Sequence, residues 1–323
     1  MAQRDTSTGG IPERYAAEIE ARNALTEACP VDVYAYSISP RWSWPWKLQS
    51  YYEARPGAAD SCDSLLIDSG SRRVGTMHGI IEAVEKTDAD AVIPPDPTPK
   101  TDAYDDLTPS VHASETASHY WTAIERLPDD CDVLVPIHAP YVDYLDALRS
   151  WDPERVQGYR DDPAFDYPKS EREREQYLAG RANYSLTYDL VDAAGGVAVG
   201  GLLALDVDER IAALREVRKN VGRDVHVHAL GLGTDLRVIK AVRESPGLID
   251  SLDVSTFELA PGNNKLPDRT WTQQRHMMPA GTDVTTVRSQ YAVAVATQFA
   301  HMLSPELCRD DVLEDAFEEL DSQ

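Results

Sequence analysis

Short apolar runs rich in Val, Ile and Leu recur along the chain, and each is followed by a segment with helical spacing. This alternation constrains the fold more than any other feature. Strands that are apolar on both faces must be covered on both, and strands that alternate with helices assemble into a parallel sheet. The predicted strands are Val33–Ser37, Ser64–Ile67, Ala91–Pro94, Val133–Ile137, Val197–Val199, Val225–Leu230 and Leu252–Val254. The predicted helices are Met77–Lys86, Val111–Leu127, Tyr141–Trp151, Val207–Val221, Leu236–Glu244 and Val284–Leu303, with a further helix, Pro12–Ala28, packed across a barrel end. In the second of these, Tyr120, Trp121, Ile124 and Leu127 fall on one face, a core-facing stripe. The pattern dissolves between Trp151 and Tyr188 into DPERVQGYRDDPAFDYPKSERERE, an insertion (152–186) too charged for a core strand as a whole, yet the place left for an eighth strand.

The predicted class is therefore α/β, a (β/α)8 TIM-type barrel with an N-terminal helix and a helical insertion. Barrels of this kind run to about 250 residues and beyond as one domain, so 323 residues fit a single domain with its core at about 30–305. The acidic tail, 306–323, reads as a solvated helix or a disordered end. No stretch is long and apolar enough to span a membrane, and Met1–Gly10 lacks the features of a secretory signal, so a cytoplasmic protein is expected.

The net charge is −24, from 31 basic and 55 acidic residues. Taken alone this argues against a nucleic-acid partner, whose phosphates are met by Lys and Arg. The acids, however, are spread over the whole chain, a pattern of salt-in halophilic proteins, where molar salt screens charge within about 3 Å. On that reading net charge says little about partners, and Arg can still line one groove. Cys29, Cys62, Cys131 and Cys308 are far apart, form no CxxC pair, and read as free thiols, so no sequence-local metal site is expected.

In a β/α barrel the active site lies at the C-terminal ends of the strands. SLLI ends in Asp68-Ser69-Gly70, AVIPP in Asp96, VLVPI in His138, GVAV in Gly200-Gly201, and Asp253 lies inside SLDVST. Singly, an Asp after a strand reads as an N-cap and a Gly pair as a tight turn. Together, several carboxylates on one rim would repel each other and raise each other's pKa, an arrangement associated with function. Two carboxylates can divide glycosidic chemistry, one attacking the sugar carbon and one moving the proton.

In order and wording these segments resemble the tRNA-guanine transglycosylase superfamily, including its DNA-acting branch. LLIDSGS is similar to that family's DSGG strand end, which implies that Asp68 transfers the proton, with Ser69 and Gly70 beside the base. VIPPDPTP with SETASHYW resembles the LDECTP segment and the helix after it, so Asp96 would read the purine edge. GGVAVGGLLALD is similar to GYAVGGLAVGE, which puts Gly200, Gly201 and Leu202 around the base. HALGLGT resembles YLMGVGT, with Leu230 stacking on it. IDSLDVST resembles IDMFDCVLPT, with Asp253 as nucleophile. The correspondence runs from Ser64 to Thr256.

There are departures. Arg72-Arg73 replace an aromatic and a Gln, His138 stands where VQG supplies a Gln, and STFELAPGNNK replaces the arginine run after Asp253. The C-terminal cysteine-rich zinc site has no counterpart, so no cofactor is implied. The resemblance thus implies a pentosyltransferase exchanging guanine in nucleic acid for a 7-deazaguanine such as preQ0 through a covalent intermediate, with DNA favoured over the tRNA of the queuine and archaeosine enzymes. Arg72, Arg73, Arg41 and Lys47 are candidate phosphate contacts, while Trp42 and Trp44 either stack on a base or simply pack. The expected partners are nucleic acid and the 7-deazaguanine base, with no membrane; a homodimer is one assembly open to the chain. Two alternatives remain. One is a metal-dependent hydrolase using His226 and His228 as an HxH pair; the other is a barrel that binds nucleic acid without catalysis.

Overall fold

The computed structural model describes residues 23–36, 44–69, 76–96, 109–150, 191, 194–255, 265–267, 274–276 and 295–321. Eight parallel strands close into a barrel: β1 Asp32–Tyr36, β2 Trp46–Ser50, β3 Ser64–Asp68, β4 Ala91–Ile93, β5 Asp132–Ile137, β6 Gly196–Val199, β7 His226–Ala229 and β8 Ser251–Val254. Every neighbouring pair is parallel, including β1 with β8, so the sheet has no edge. A two-stranded antiparallel pair, β9 Lys265–Pro267 and β10 Gln274–His276, stands apart. The helices are α1 Met77–Thr87, α2 Pro109–Arg126, α3 Tyr141–Arg149, α4 Val207–Val221, α5 Leu236–Glu244 and α6 Asp310–Asp321. Residues 23–28 and 295–303 are also helical. Among the described residues no helix is long and apolar enough to cross a membrane.

The seven predicted strands are all present, and the eighth is not in the insertion, which lies outside the described residues. It is β2, WKLQS, from the aromatic segment. Trp46, Leu48 and Ser50 share one face of it, Lys47 and Gln49 the other, and all five are buried. Lys47 is 1% exposed and therefore cannot meet a phosphate at the barrel mouth, contrary to expectation. Trp44 is a packing residue: it is buried and donates its indole N–H to the Val33 carbonyl at 2.9 Å.

Three helix starts are fixed by residues other than the candidate carboxylates. Thr76 caps α1, accepting from Gly79 N–H at 3.2 Å, and Asp235 caps α5. Asp206 and Glu209 form a reciprocal capping box on α4, at 2.9 and 3.0 Å. None of the helix caps seen among the described residues is Asp68, Asp96 or Asp253. Asp68 ends β3, Asp253 lies inside β8, and α2 begins only at Pro109.

Two further expectations are corrected. Along and just past α2, Tyr120, Trp121 and Leu127 are buried but Ile124 is 41% exposed, so the core stripe is narrower than its spacing suggests. The acidic tail is a packed helix. Leu313 of α6 is buried, Lys240 lies 5.9 Å over the Phe317 ring, and Arg243 donates to Asp310 and to the Met302 and Cys308 carbonyls. Cys29, Cys62 and Cys131 are buried free thiols; burial pushes Cys29 up to about 11 and Cys131 up to about 12.

Candidate active site

Partners in a parallel ladder carry their side chains on the same face, and the face alternates along each strand. The pairs Asp253–Tyr34, Tyr36–Leu48, Ser50–Asp68 and Asp68–Ile93 connect β8 through β4. Ala91–Asp132, Pro136–Ala198, Ala198–His228 and His228–Ser251 complete the circuit. Carried one residue past the ends of β5, β6 and β7, this alternation sets Tyr36, Ser50, Asp68, His138, Gly200, Leu230 and Asp253 on one common face.

That face is the barrel lumen. The Tyr34 hydroxyl meets Ser64 Oγ, two strands away, at 2.7 Å. In the other direction the Tyr34 ring meets the His228 ring, again two strands away, with centroids 5.6 Å apart. Both contacts skip a strand and are made through the interior. The candidate residues thus occupy the last lumenal positions of their strands, at the C-terminal mouth where β/α barrels place their chemistry.

Asp253 is half-buried, and its Oδ1 accepts the Gly231 N–H at 2.6 Å. Burial pushes its carboxyl up to about 6, partly offset by the Gly231 hydrogen bond. Desolvation, and not the mutual repulsion expected from several carboxylates, is the cause. Gly231 has φ +70, and a Cβ there would stand 2.7 Å from Leu203 Cγ. Glycine therefore serves the turn twice, by its positive φ and by admitting Leu203 beside the donor that holds Asp253.

Asp96 and His138, expected to read a base separately, are joined to each other: His138 Nε2 meets Asp96 Oδ2 in a short contact. Both side chains are about one-tenth exposed. The imidazole also packs edgewise near Tyr144, whose phenol is held protonated by burial and by the Asp96 charge. A Cβ on Gly200 would lie 2.4 Å from His138 Cε1, so the space the glycine leaves is filled by that ring. The Gly200 N–H is donated to the Ile137 carbonyl at 2.8 Å, and its carbonyl accepts from Tyr141 Oη at 2.9 Å. Gly200 positions His138 and does not offer open backbone to a ligand. Gly200→Ala is expected to cost about 1–3 kcal/mol by overpacking and to break the His138–Asp96 contact. The His138 ring signals in NMR report this; signals unchanged from wild type would contradict it.

Gly201 is exposed with φ +78, ahead of a 3-10 turn, Leu202–Ala204. The turn directs Leu202 into the core at 0% exposure and Leu203 outward at 66%. Leu202 has no surface to give a base; Leu203 is the apolar side chain at the mouth, and only the turn's geometry identifies it. Leu230 is half-buried and packs on the core, and Ser69 is buried. Tyr36 and Ser50, hydroxyls 2.9 Å apart, join Asp68 on the lumenal face, and Tyr36 also donates to Glu53 at 3.1 Å. Sequence reading missed both, Ser50 because its strand went unseen. Gly70, Arg72, Arg73, Arg41 and Trp42 lie outside the described residues.

One ring nitrogen of each histidine in the HxH pair meets Ser251. Its Oγ lies 2.7 Å from His226 Nε2 and 2.8 Å from His228 Nδ1, and burial pushes His228 down to about 3. Among the described residues no group of three or more His, Cys, Asp or Glu is arranged to hold a metal ion. No protein-family model matches the chain, and no curated protein matches it.

Proposed function

We propose that this chain exchanges guanine in nucleic acid for a 7-deazaguanine such as preQ0, with Asp253 as covalent nucleophile and Asp68 as proton carrier. The observation that carries the reading is the state of Asp253: a lumenal carboxylate at the barrel mouth, oriented through Oδ1 by Gly231 and desolvated enough to sit at about 6. Partial desolvation keeps a carboxylate reactive while leaving it ionised at neutral pH. In the first half-reaction the second Asp253 oxygen attacks C1′ and the C1′–N9 bond breaks. The electron pair leaves with guanine, which takes a proton from Asp68. In the second, the incoming base gives its N9 proton to Asp68 and attacks C1′, releasing Asp253. The His138–Asp96 pair borders the base pocket, and its joint hydrogen-bonding capacity selects the base edge.

Labelled guanine or preQ0 exchange into DNA and tRNA in parallel, at high salt, tests the reading. Wild type is expected to exchange into one polymer, preferentially DNA, and Asp253→Ala into neither. Absence of exchange into both polymers, or undiminished exchange by the variant, would overturn it. The nucleophile must be ionised, so the rate is expected to fall about tenfold per pH unit below about 6. A rate that stays flat from pH 7 to pH 4.5 would exclude Asp253 as the attacking group.

A further inference from the structure

We infer that Arg210 is a positioning residue for the nucleophile, acting through the loop that follows β7, an inference that rests on the proposed role of Asp253 in base exchange. The chain of contacts is short. Asp253 Oδ1 accepts the Gly231 N–H at 2.6 Å, and the carbonyl of Leu232, the next residue of the same loop, accepts from Arg210 Nη1 at 3.0 Å. Arg210 Nε donates to the Leu205 carbonyl, also at 3.0 Å, where the turn after β6 ends. One guanidinium thus joins the loop that holds Asp253 to the turn whose Leu203 lies against Gly231.

That loop is built to need such a tie. Gly231 and Gly233 have φ of +70 and +87, and glycine leaves the backbone the most freedom to move. Leu232 between them is buried and anchors the loop by its side chain; the Arg210 bond anchors the backbone itself. A Cβ on Gly233 would stand 3.2 Å from Arg210 Nη1, so glycine there also admits the guanidinium.

Arg210 is itself held in place. It lies in the first turn of α4, where the capping box of Asp206 and Glu209 fixes the helix start, and its own N–H is donated to the Asp206 carbonyl at 3.0 Å. Among the described residues its guanidinium bonds carbonyls and no carboxylate, in a chain with 55 acids. Its planar fork donates in two directions and spans two backbones, a geometry that a Lys ammonium does not reproduce. The consequence is orientational. Gly231 fixes Oδ1 and leaves the other oxygen to attack C1′, and a misplacement of about 1 Å can cost about 10²-fold in rate. Loosening the loop also weakens a hydrogen bond that favours the ionised carboxylate, so the Asp253 carboxyl would ionise at higher pH.

Two readouts test the inference, one of them independent of activity. The Asp253 carboxyl is titrated by carbon NMR in protein labelled at the aspartate carboxyls, its signal assigned by its absence from Asp253→Asn. Arg210→Gln is expected to raise the midpoint by about one pH unit. It is also expected to lower kcat for exchange at least about tenfold and to change KM by less than about twofold. Arg210→Lys, which keeps the charge without the fork, is expected to fall between the two, and carries the same test if the Gln variant does not fold. Arg218→Lys, which loosens the opposite end of the barrel, is expected to leave the midpoint at its wild-type value. A wild-type midpoint in folded Arg210→Gln protein, or a loss confined to KM, would overturn the inference while leaving base exchange standing. A raised midpoint in Arg210→Gln, with no exchange of guanine into DNA or tRNA by the wild-type protein, would overturn base exchange while leaving Arg210 tied to Asp253.

Discussion

Asp253→Asn is expected to abolish base exchange, by at least about 10³-fold, and at the same time to make the protein more stable at neutral pH. The opposing signs follow from one fact: the folded protein holds this carboxyl at about 6 against an ordinary 3.8. Below about pH 3 the group is protonated in folded and unfolded chains alike, and burial carries no charge penalty. As pH rises towards 6 the unfolded chain ionises first, so ionisation costs the folded state progressively more, to at most about 3 kcal/mol above pH 7. The amide is never charged, and its oxygen still accepts the Gly231 N–H. Unfolding by denaturant is therefore expected to show the variant more stable at pH 8 and nearly equal to wild type at pH 3. Stabilisation of the same size at both pH values would mean that the gain comes from packing and not from relief of a buried charge. Reduced stability at pH 8 would contradict the electrostatic account of the site.

Arg218→Ala is expected to produce the largest stability loss of any single truncation considered for this molecule. Arg218 lies on α4, at the barrel end opposite the site, and its side chain is 11% exposed. It donates to the Leu248, Gly222 and Val225 carbonyls at 3.2, 2.8 and 2.7 Å, and to Asp250 Oδ2 at 2.5 Å. The same Asp250 oxygen accepts the Val227 N–H at 2.7 Å. Removing the guanidinium leaves Asp250 uncompensated near Asp32, whose carboxyl burial and the Asp250 charge already push up to about 7. Losing an ion pair whose arginine is buried and whose Asp250 is 36% exposed, together with three carbonyl partners, costs about 3 kcal/mol, which for a chain of this size lowers Tm by roughly 4–5 °C. Arg218→Lys keeps the charge but not the fork that reaches several acceptors, so a smaller loss is expected. A Tm for Arg218→Ala within 2 °C of wild type would show that the clamp is dispensable.

The barrel was legible wherever strands were made of Val, Ile and Leu, because both faces of such strands are buried and the apolar run is continuous. β2 escaped for a physical reason. Its outward positions are Lys47 and Gln49, so WKLQS lacks the continuous apolar run although every residue in it is buried. The tail was misjudged from its charge: the apolar positions Leu313 and Phe317, four apart, seat α6, and its acids lie around them. At the mouth, the strand-end rule located Asp68, His138, Gly200 and Asp253 correctly, since alternation fixes which face a side chain takes. It could not reveal that His138 and Asp96, 42 residues apart, meet one another. Nor could it choose Leu203 over Leu202, which depends on the direction of a single turn. Spacing of carboxylates in a sequence suggests mutual repulsion, whereas the perturbation of Asp253 comes from burial, which only the packed structure provides.

The proposed exchange requires Asp253 to form a covalent bond to the sugar. Acid quenching of wild-type protein during exchange, followed by digestion and mass spectrometry, tests this directly. An ester-linked nucleotide on the peptide that carries Asp253, absent from Asp253→Asn, is the predicted result. A bond mapped to Asp68, or labelled guanine exchanging with no protein adduct at any time point, would contradict it.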